Sequence, residues 1–373
     1  MKFQSKSTNP IFIVGAPRSG TTLLTSFVAS HKNIYSGAET QFFNKIGLGS
    51  AELKRALKED EWPDKAIALM QKKLTLSGQS VLELYGKSTQ DLHNFLSERS
   101  PSVGAMLESI VSQKGNGNSE RRWLEKTPNH LQYVSEILNY FPDAKVILIH
   151  RDLRDSASSI PKLPWASNSI LENAALISSW FEKVDEYKEI DRVLFVSYEM
   201  LVRDCDNELK KVFDFIHERF DSRVINRESA DDITTNNEPW KEDIRGSITT
   251  SNIGKWKTSL SQELITQLEA VCGKILQKLG YELTTSNKFE PLQLKKLRGQ
   301  KLNGIDCFIE QLTSNKKTIT YSESESESIL ILAERNFVLK ALLCAIKSKV
   351  IERKKVYFIG LKTFPLNFFG KYI

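Results

Sequence analysis

A glycine-containing loop near the start of the chain is well suited to bind a negatively charged group. Residues 15–22 read Gly-Ala-Pro-Arg-Ser-Gly-Thr-Thr, after the apolar run at 11–14 and at the start of a helical pattern over 21–29. A loop between a strand and a helix N-terminus presents backbone N–H groups to an anion. The residues that we expect to contact the anion are Arg18, Ser19, Gly20, Thr21 and Thr22.

The same loop differs from the loop that binds nucleoside triphosphates. That loop needs Gly-Lys-[Ser/Thr], in which Lys reaches the phosphates and the hydroxyl holds magnesium. Here Thr21 stands at the lysine position, and Arg18 lies inside the loop instead. Because a guanidinium can bind several anionic oxygens without a metal, we expect a metal-free anion site. A phosphotransferase that uses a nucleoside triphosphate stays open as an alternative.

A second candidate anion site begins where another apolar strand ends. The run Lys145–His150 leads into Arg151, and Ser159 follows eight residues later, about two turns into a predicted helix. Both side chains could face a second phosphate. Arg151 could instead form a structural ion pair, and Arg154 with Asp155 is interpreted as a surface pair.

The order of predicted elements brings these residues together. Apolar strands at 11–14, 123–124, 145–150 and 193–196 alternate with amphipathic helices, which is typical of a parallel sheet covered on both faces. Ligands bind beyond the carboxyl ends of such strands. Those ends carry Arg18, Lys126 and Arg151, so three cations converge on one edge if the strands are neighbours.

Two segments interrupt or follow this alternation. Residues from about 42 to 121 have mostly helical patterns. They are interpreted as an inserted cap that lines the pocket for an acceptor substrate, or as an insertion that only packs against the domain. Beyond about residue 290, a Lys-rich stretch, a Ser/Glu linker at 322–328 and an apolar helix candidate at 329–351 predict an accessory region, 291–373. Its aromatic tail favours docking on the main domain, 1–290, over membrane contact.

Composition excludes several classes of protein. The 373 residues carry 52 Lys and Arg against 46 Asp and Glu, and a net charge of +6 favours a small anionic partner over nucleic acid. Four cysteines lie far apart, and neither they nor the histidines have metal-ligand spacing, so we expect no metal. Without a long apolar segment or a hydrophobic leader, the chain is predicted to be cytoplasmic.

Four motifs in this order resemble those of the sulfotransferases that use 3′-phosphoadenosine 5′-phosphosulfate (PAPS). They are GAPRSGTT at 15–22, GAET at 37–40, EKTP at 125–128, and Arg151 with Ser159. Over residues 10 to 285 the chain is similar to the broad bacterial family that also contains the tyrosylprotein sulfotransferases. The resemblance implies an α/β fold with a parallel central sheet of the P-loop NTPase type, flanked by helices, with a helical cap and C-terminal accessory helices.

The resemblance also implies a role for each motif residue. The glycine loop, Arg18 to Thr22, would hold the 5′-phosphosulfate, and Arg151 with Ser159 would hold the 3′-phosphate. Tyr198 and Lys255 match donor contacts, and Ser247 matches a serine that stabilises the transferring group.

The implied catalytic base is Glu39, which lies 21 residues after Arg18. Transfer of a sulfuryl group needs a base on the acceptor side and cations on the leaving side. Lys126 and Arg18 would supply those cations. The alternatives are that Glu39 only interacts with a helix N-terminus, and that Lys126 forms a surface ion pair with Glu125.

The sequence therefore predicts an enzyme that moves a sulfuryl group from PAPS to an acceptor hydroxyl, with an amine as second choice, by in-line displacement without a metal. A non-catalytic nucleotide-binding protein is the other alternative. Carbohydrate, lipid, peptide tyrosine and small metabolites all stay open as acceptors, and the sequence does not fix the oligomeric state.

Overall fold

The computed structural model describes residues 9–112, 121–163, 166, 169–226 and 248–285, and, as backbone, five strands between 301 and 360. The chain divides into two compact units. The first comprises Met1–Arg151 with Glu186–Thr250, and the second comprises Asp152–Asp185 with Ser251–Ile373.

Helices and strands alternate along the described chain. The strands before residue 200 are β1 (Ile11–Gly15), β2 (Ile34–Ser36), β3 (Thr75–Leu76), β4 (Gln79–Ser80), β5 (Arg122–Lys126), β6 (Lys145–His150) and β7 (Val193–Ser197). The α-helices are α1 (Thr21–Ala29), α2 (Phe42–Lys45), α3 (Ala51–Ala56), α4 (Asp64–Lys73), α5 (Val81–Leu84), α6 (Thr89–Ser97), α7 (Val103–Val111), α8 (Val134–Tyr140), α9 (Leu153–Ser159), α10 (Ile170–Trp180), α11 (Val184–Lys188), α12 (Tyr198–Arg203), α13 (Cys205–Phe215), α14 (Trp256–Ser259) and α15 (Gln262–Lys278).

The first unit contains a five-stranded sheet in the order β2-β5-β1-β6-β7. All four strand pairs are parallel. Every residue of β1 is buried, as expected for a strand covered on both faces of a parallel sheet. The predicted α/β fold with a central parallel sheet flanked by helices is confirmed.

The strand order confirms that the three cation-bearing strand ends are neighbours. β1 lies between β5 and β6, with Ile13 opposite Lys126 and Gly15 opposite Ile149. The carboxyl ends of β1, β5 and β6 are therefore adjacent on one edge of the sheet, where parallel α/β sheets bind ligands.

The described residues between β2 and β5, up to residue 112, form mainly helices. It contains helices α2 to α7 and the short hairpin β3–β4, whose strands pair through Thr75 and Ser80. Apolar residues at helical spacing account for it, because α6 buries Leu92, Phe95 and Leu96 on one face. Ser88 and Asp91 form a capping box at its start, which fixes where α6 begins.

Helices α9, α10, α14 and α15 belong to the second unit, where a buried ion network lies. The guanidinium of Arg154 donates to both carboxylate oxygens of Asp152 and to Glu269 at 2.5 Å. Arg154 and Asp155 are each only 3% exposed, so their interpretation as a surface pair is wrong. The sequence could not indicate the pairing of Arg154 with Glu269, because the two residues lie 115 positions apart.

The second unit also contains strands where the sequence predicted C-terminal helices. They are β8 (Lys301–Leu302), β9 (Ile305–Leu312), β10 (Lys317–Ser324), β11 (Ser328–Ala333) and β12 (Lys355–Gly360), in the sheet order β12-β11-β10-β9-β8. The predicted helix at 329–351 therefore begins as a strand, and the Ser/Glu stretch is partly the end of β10. Short apolar runs, such as Ser-Ile-Leu-Ile-Leu-Ala, fit a strand as well as a buried helix.

Among the helices of the described ranges, none has both the length and the apolar character needed to cross a membrane.

Candidate active site

The glycine loop has the geometry of an anion cradle. A β-carbon at Gly15 would lie 2.4 Å from the carbonyl oxygen of Ile149, so only glycine fits against β6. Ser19 folds the loop inward, because its hydroxyl donates to the carbonyl of Ala16 at 2.6 Å. The N-cap of α1 is Gly20, which has no side chain that could cap the first N–H groups of the helix. The start of α1 thus offers backbone donors to a ligand.

Arg18 lies in the turn of this loop, and its backbone has a conformation that residues other than glycine rarely adopt. Its φ is 65°, in the left-handed region, and its side chain is exposed. A non-glycine residue in this region costs on the order of 1–2 kcal/mol, and such strain clusters at functional sites. The loop therefore places a guanidinium at its rim.

Arg151 follows β6 and contacts the same loop. Its Nη1 donates to the carbonyl oxygen of Arg18 at 3.1 Å, and its guanidinium lies 4.7 Å from the ring centroid of Tyr198. Tyr198 is the first residue of α12, and its ring packs on the loop, because a β-carbon at Gly20 would lie 2.6 Å from its Cδ2. The structure thus brings Arg18, Arg151 and Tyr198 together.

Lys126 and Glu39 form a buried ion pair next to the loop. Nζ of Lys126 lies 2.7 Å from Oε1 of Glu39, and the two side chains are 0% and 8% exposed. The same Nζ lies 3.5 Å from Oγ1 of Thr22, at the start of α1. Oε2 of Glu39 accepts from the side-chain amide of Gln41, from Nε2 at 2.9 Å. A cation from β5 therefore reaches the glycine loop, although the loop has no lysine of its own.

This arrangement overturns one of the alternatives drawn from the sequence. Lys126 does not form a surface pair with Glu125, since both residues are buried and Glu125 accepts instead from Thr40, Thr127 and His130. Lysine and glutamate are almost never fully buried unless they are paired, and Lys126 and Glu39 satisfy this rule by pairing with each other. One group can accept a proton and the other can stabilise negative charge.

Tyr85, which the sequence did not indicate, anchors the segment that carries Glu39. Its hydroxyl donates to the carbonyl oxygen of Ala38 at 2.6 Å. A β-carbon at Gly37 would lie 2.5 Å from the Tyr85 ring, so the glycine allows close contact. Burial and, next, the negative charge of Glu125 raise the pKa of Tyr85 well above its ordinary value, so the hydroxyl keeps its proton. Only the glycine at 37 could have suggested a close neighbour.

The remaining predicted donor contacts belong to the second unit or fall outside the described residues. Ser159 ends α9, and Lys255 precedes α14. The carboxylate of Asp155 accepts from the backbone N–H groups of Gly254 at 2.7 Å and Trp256 at 2.9 Å, on either side of Lys255. Ser247, predicted to stabilise the transferring group, lies outside the described residues.

Comparisons with known proteins agree with the motifs. The protein-tyrosine sulfotransferase A of Caenorhabditis elegans is 23% identical over an alignment of 313 residues, and the match covers 80% of this chain and 75% of that protein. Protein-tyrosine sulfotransferase 1 of Danio rerio is 23% identical over an alignment of 284 residues, and the match covers 73% of this chain and 72% of that protein. The solved sulfotransferase domain of the Synechococcus PCC 7002 olefin synthase shares the fold. It is 22% identical, covers 76% of this chain and 98% of its own, and has a TM-score of 0.50.

A model described as the sulfotransferase family matches residues 10–222, which is more than half of the chain. This match confirms the resemblance that the four sequence motifs predicted. The chain belongs to the sulfotransferase family.

Proposed function

We propose that the protein transfers a sulfuryl group from PAPS to an acceptor hydroxyl, with Glu39 as the base. The observation that carries the proposal is the buried pair of Glu39 and Lys126, whose amine reaches Thr22 of the glycine loop. It joins a proton acceptor and a cation at the carboxyl edge of the sheet. Sulfuryl transfer needs both groups in one place.

The residues of the first unit fit the anionic groups of the donor. The glycine loop supplies backbone N–H groups at the start of α1 and the guanidinium of Arg18, which suits a phosphosulfate. The packed ring of Tyr198 and the guanidinium of Arg151 suit an adenosine that carries a 3′-phosphate. Ser159, Ser247 and Lys255 are proposed as further donor or transfer contacts.

In the proposed reaction, the acceptor oxygen attacks sulfur while the bond between sulfur and the bridging phosphate oxygen breaks. The hydroxyl proton passes to the carboxylate of Glu39. Adenosine 3′,5′-bisphosphate leaves with the electron pair of the broken bond. Lys126 and Arg18 stabilise the negative charge that develops on the leaving oxygen, a type of effect worth about 3–4 kcal/mol when one donor is removed.

The acceptor is a hydroxyl of a carbohydrate, a lipid, a peptide tyrosine or a small metabolite. Two relatives are named protein-tyrosine sulfotransferases, which supports testing a tyrosine peptide first. The helical segment from α2 to α7 is proposed to line the acceptor pocket, because its residue Tyr85 bonds Ala38, the residue before Glu39.

A transfer assay with a labelled donor tests the proposal. The protein is incubated with PAPS that carries ³⁵S, first with tyrosine peptides and then with a metabolite extract, and the labelled product is identified. Glu39→Ala and Lys126→Ala should each lower transfer by about 100-fold or more, while affinity for adenosine 3′,5′-bisphosphate should change far less.

Matched controls separate chemistry from folding. Glu208 and Lys211 form another ion pair, 2.5 Å long, on α13. Glu208→Ala and Lys211→Ala should leave transfer nearly unchanged. Binding of PAPS without any transfer by the unaltered protein, or full transfer by Glu39→Ala, would refute the proposed role of Glu39 and Lys126.

A further inference from the structure

We propose that Glu125 is a positioning residue, which fixes Glu39 and Lys126 relative to each other through hydrogen bonds from Thr40, Thr127 and His130. This inference depends on the proposed function and deepens it. Glu125 contacts neither catalytic group directly. It acts through the residue that follows each of them.

The carboxylate of Glu125 is a buried hub that accepts four hydrogen bonds from three residues. Its Oε1 accepts from Oγ1 of Thr127 at 2.6 Å, from Oγ1 of Thr40 at 2.8 Å and from the Thr40 amide at 3.4 Å. Its Oε2 lies 2.9 Å from Nδ1 of His130. Glu125 and His130 are both 0% exposed. Such a fully bonded buried network holds its members in one arrangement.

The proton position on His130 follows from its second partner. The backbone N–H of Phe43 donates to Nε2 of His130 at 3.3 Å. A backbone N–H can only donate, so Nε2 accepts and Nδ1 carries the proton that binds Glu125. His130 therefore connects Glu125 to the first turn of α2, just beyond the segment that carries Glu39.

Glu125 is ionised in this setting. Burial by itself would raise its pKa, but the hydrogen bonds from His130, Thr127 and Thr40 hold the pKa below its ordinary value. An ionised acceptor makes stronger hydrogen bonds than a neutral one.

Two chain segments are matched residue by residue through this hub. Glu39 pairs with Lys126, and the next residue, Thr40, bonds Glu125, which precedes Lys126. The amide of Gln41 then donates to Oγ1 of Thr127 at 3.3 Å. Loss of the hub would let the two segments shift relative to each other. A shift of about 1 Å can lower a rate by about 100-fold.

The test uses Thr40, because its hydroxyl can be removed without changing its volume. Thr40→Val keeps the shape but removes the hydroxyl's bond to Glu125 and the bond that this hydroxyl accepts from the backbone N–H of Phe42. Thr40→Ser keeps the hydroxyl and loses a methyl group. The probe is PAPS that carries ³⁵S, with water as acceptor, and released sulfate is measured. Binding of adenosine 3′,5′-bisphosphate is measured by calorimetry for every variant.

We expect Thr40→Val to lower donor hydrolysis by about 10-fold or more and Thr40→Ser to stay within about 2-fold, with nucleotide affinity nearly constant in both. Glu125→Gln should behave like Thr40→Val, and Glu208→Gln on α13 serves as control. Equal losses for Thr40→Ser and Thr40→Val, or an unchanged rate for Thr40→Val, would overturn the inference.

A second measurement does not depend on activity. Amide hydrogen exchange should become faster in both 38–43 and 122–128 in Glu125→Gln and in Thr40→Val, and unchanged exchange in either segment would overturn the inference. If the unaltered protein neither binds the bisphosphate nor hydrolyses PAPS, the proposed function fails, and the exchange result still decides whether Glu125 holds the two segments together.

Discussion

Gly20 is the residue on which the anion loop depends most directly. Its φ is +94°, and a β-carbon there would lie 2.6 Å from the Tyr198 ring. Gly20→Ala should therefore displace Tyr198 or the loop and weaken binding of adenosine 3′,5′-bisphosphate by about 10-fold, measured by calorimetry. Gly49→Ala is the matched control, because its φ is +80° with nothing within 4 Å of the added carbon. Equal affinity in both variants would contradict this.

His150, at the end of β6, predicts a pH dependence of stability. Burial lowers its pKa to about 4, against the opposing effect of Glu199. An unfolded chain would take up this proton near its ordinary value of 6.5, while the folded protein resists it. Stability should thus fall as pH drops from about 6.5 to 4, by no more than about 3 kcal/mol.

The measurement is urea unfolding at several pH values between 7 and 4.5. His150→Gln should flatten the decrease, because the substituted residue does not titrate. His93→Gln, on α6 with its side chain 46% exposed, should leave the slope as it is. An identical slope in His150→Gln would show that other groups cause the pH dependence.

The sequence indicated candidate site residues in the first unit, but not how they pair. Lys126 could be placed at the sheet edge because it ends an apolar strand. Its pairing with Glu39, 87 positions away, depends on β2 lying beside β5. Strand β2 has only three residues, Ile34–Ser36, which is too short for a periodic pattern to indicate.

At the scale of elements, Asp155 holds the turn before α14. It accepts from the backbone on both sides of Lys255, at 2.7 and 2.9 Å. Asp155→Asn replaces one carboxylate oxygen, a hydrogen-bond acceptor, with an NH₂ group, so a backbone N–H next to Lys255 loses its acceptor. If Lys255 contacts the nucleotide, affinity for adenosine 3′,5′-bisphosphate should fall by about 10-fold.

Asp185→Asn is the matched control for this variant. Asp185 belongs to the same unit and pairs with Lys278 at 2.5 Å, with its side chain 52% exposed. Its substitution should leave nucleotide affinity unchanged. Unchanged affinity in Asp155→Asn, with the fold intact, would show that the turn before α14 does not matter for the donor.

Elements with strong periodicity were predicted closely, and short or ambiguous ones were not. Helix α1 has the predicted bounds, Thr21–Ala29, because the glycine loop fixes its start. The apolar residues between 130 and 140 have helical spacing and predict one helix, but the structure has a 3₁₀ helix over Pro128–Tyr133 before α8, since Pro128 sets the first turn and His130 bonds Glu125. The C-terminal strands were missed because apolar runs of six residues do not distinguish a strand from a helix.

At the scale of the whole molecule, the second unit depends on a buried charge network that the composition did not indicate. Glu269 accepts from Arg154 at 2.5 Å and from the backbone of Thr284 and Thr285, each at 2.9 Å. Glu269→Ala leaves Arg154 buried with part of its charge uncompensated. Unfolding in urea should show a loss of about 3–5 kcal/mol.

Glu52→Ala provides the contrast. Glu52 pairs with Lys72 at 2.7 Å, but its side chain is 41% exposed. Its loss should leave the urea unfolding midpoint nearly unchanged, because water screens the pair. Equal effects of the two substitutions would contradict the structural role of Glu269.

The division of the chain into a domain and an accessory region near residue 290 stays a prediction.

The most direct test of the account is calorimetry with three nucleotides. If the glycine loop and Arg151 bind a 3′-phosphorylated adenylate, the protein should bind adenosine 3′,5′-bisphosphate with one site per chain. Adenosine 5′-phosphate, which lacks the 3′-phosphate, should bind at least about 10-fold more weakly. Tighter binding of ATP with magnesium, or no binding of the bisphosphate at all, would contradict the account.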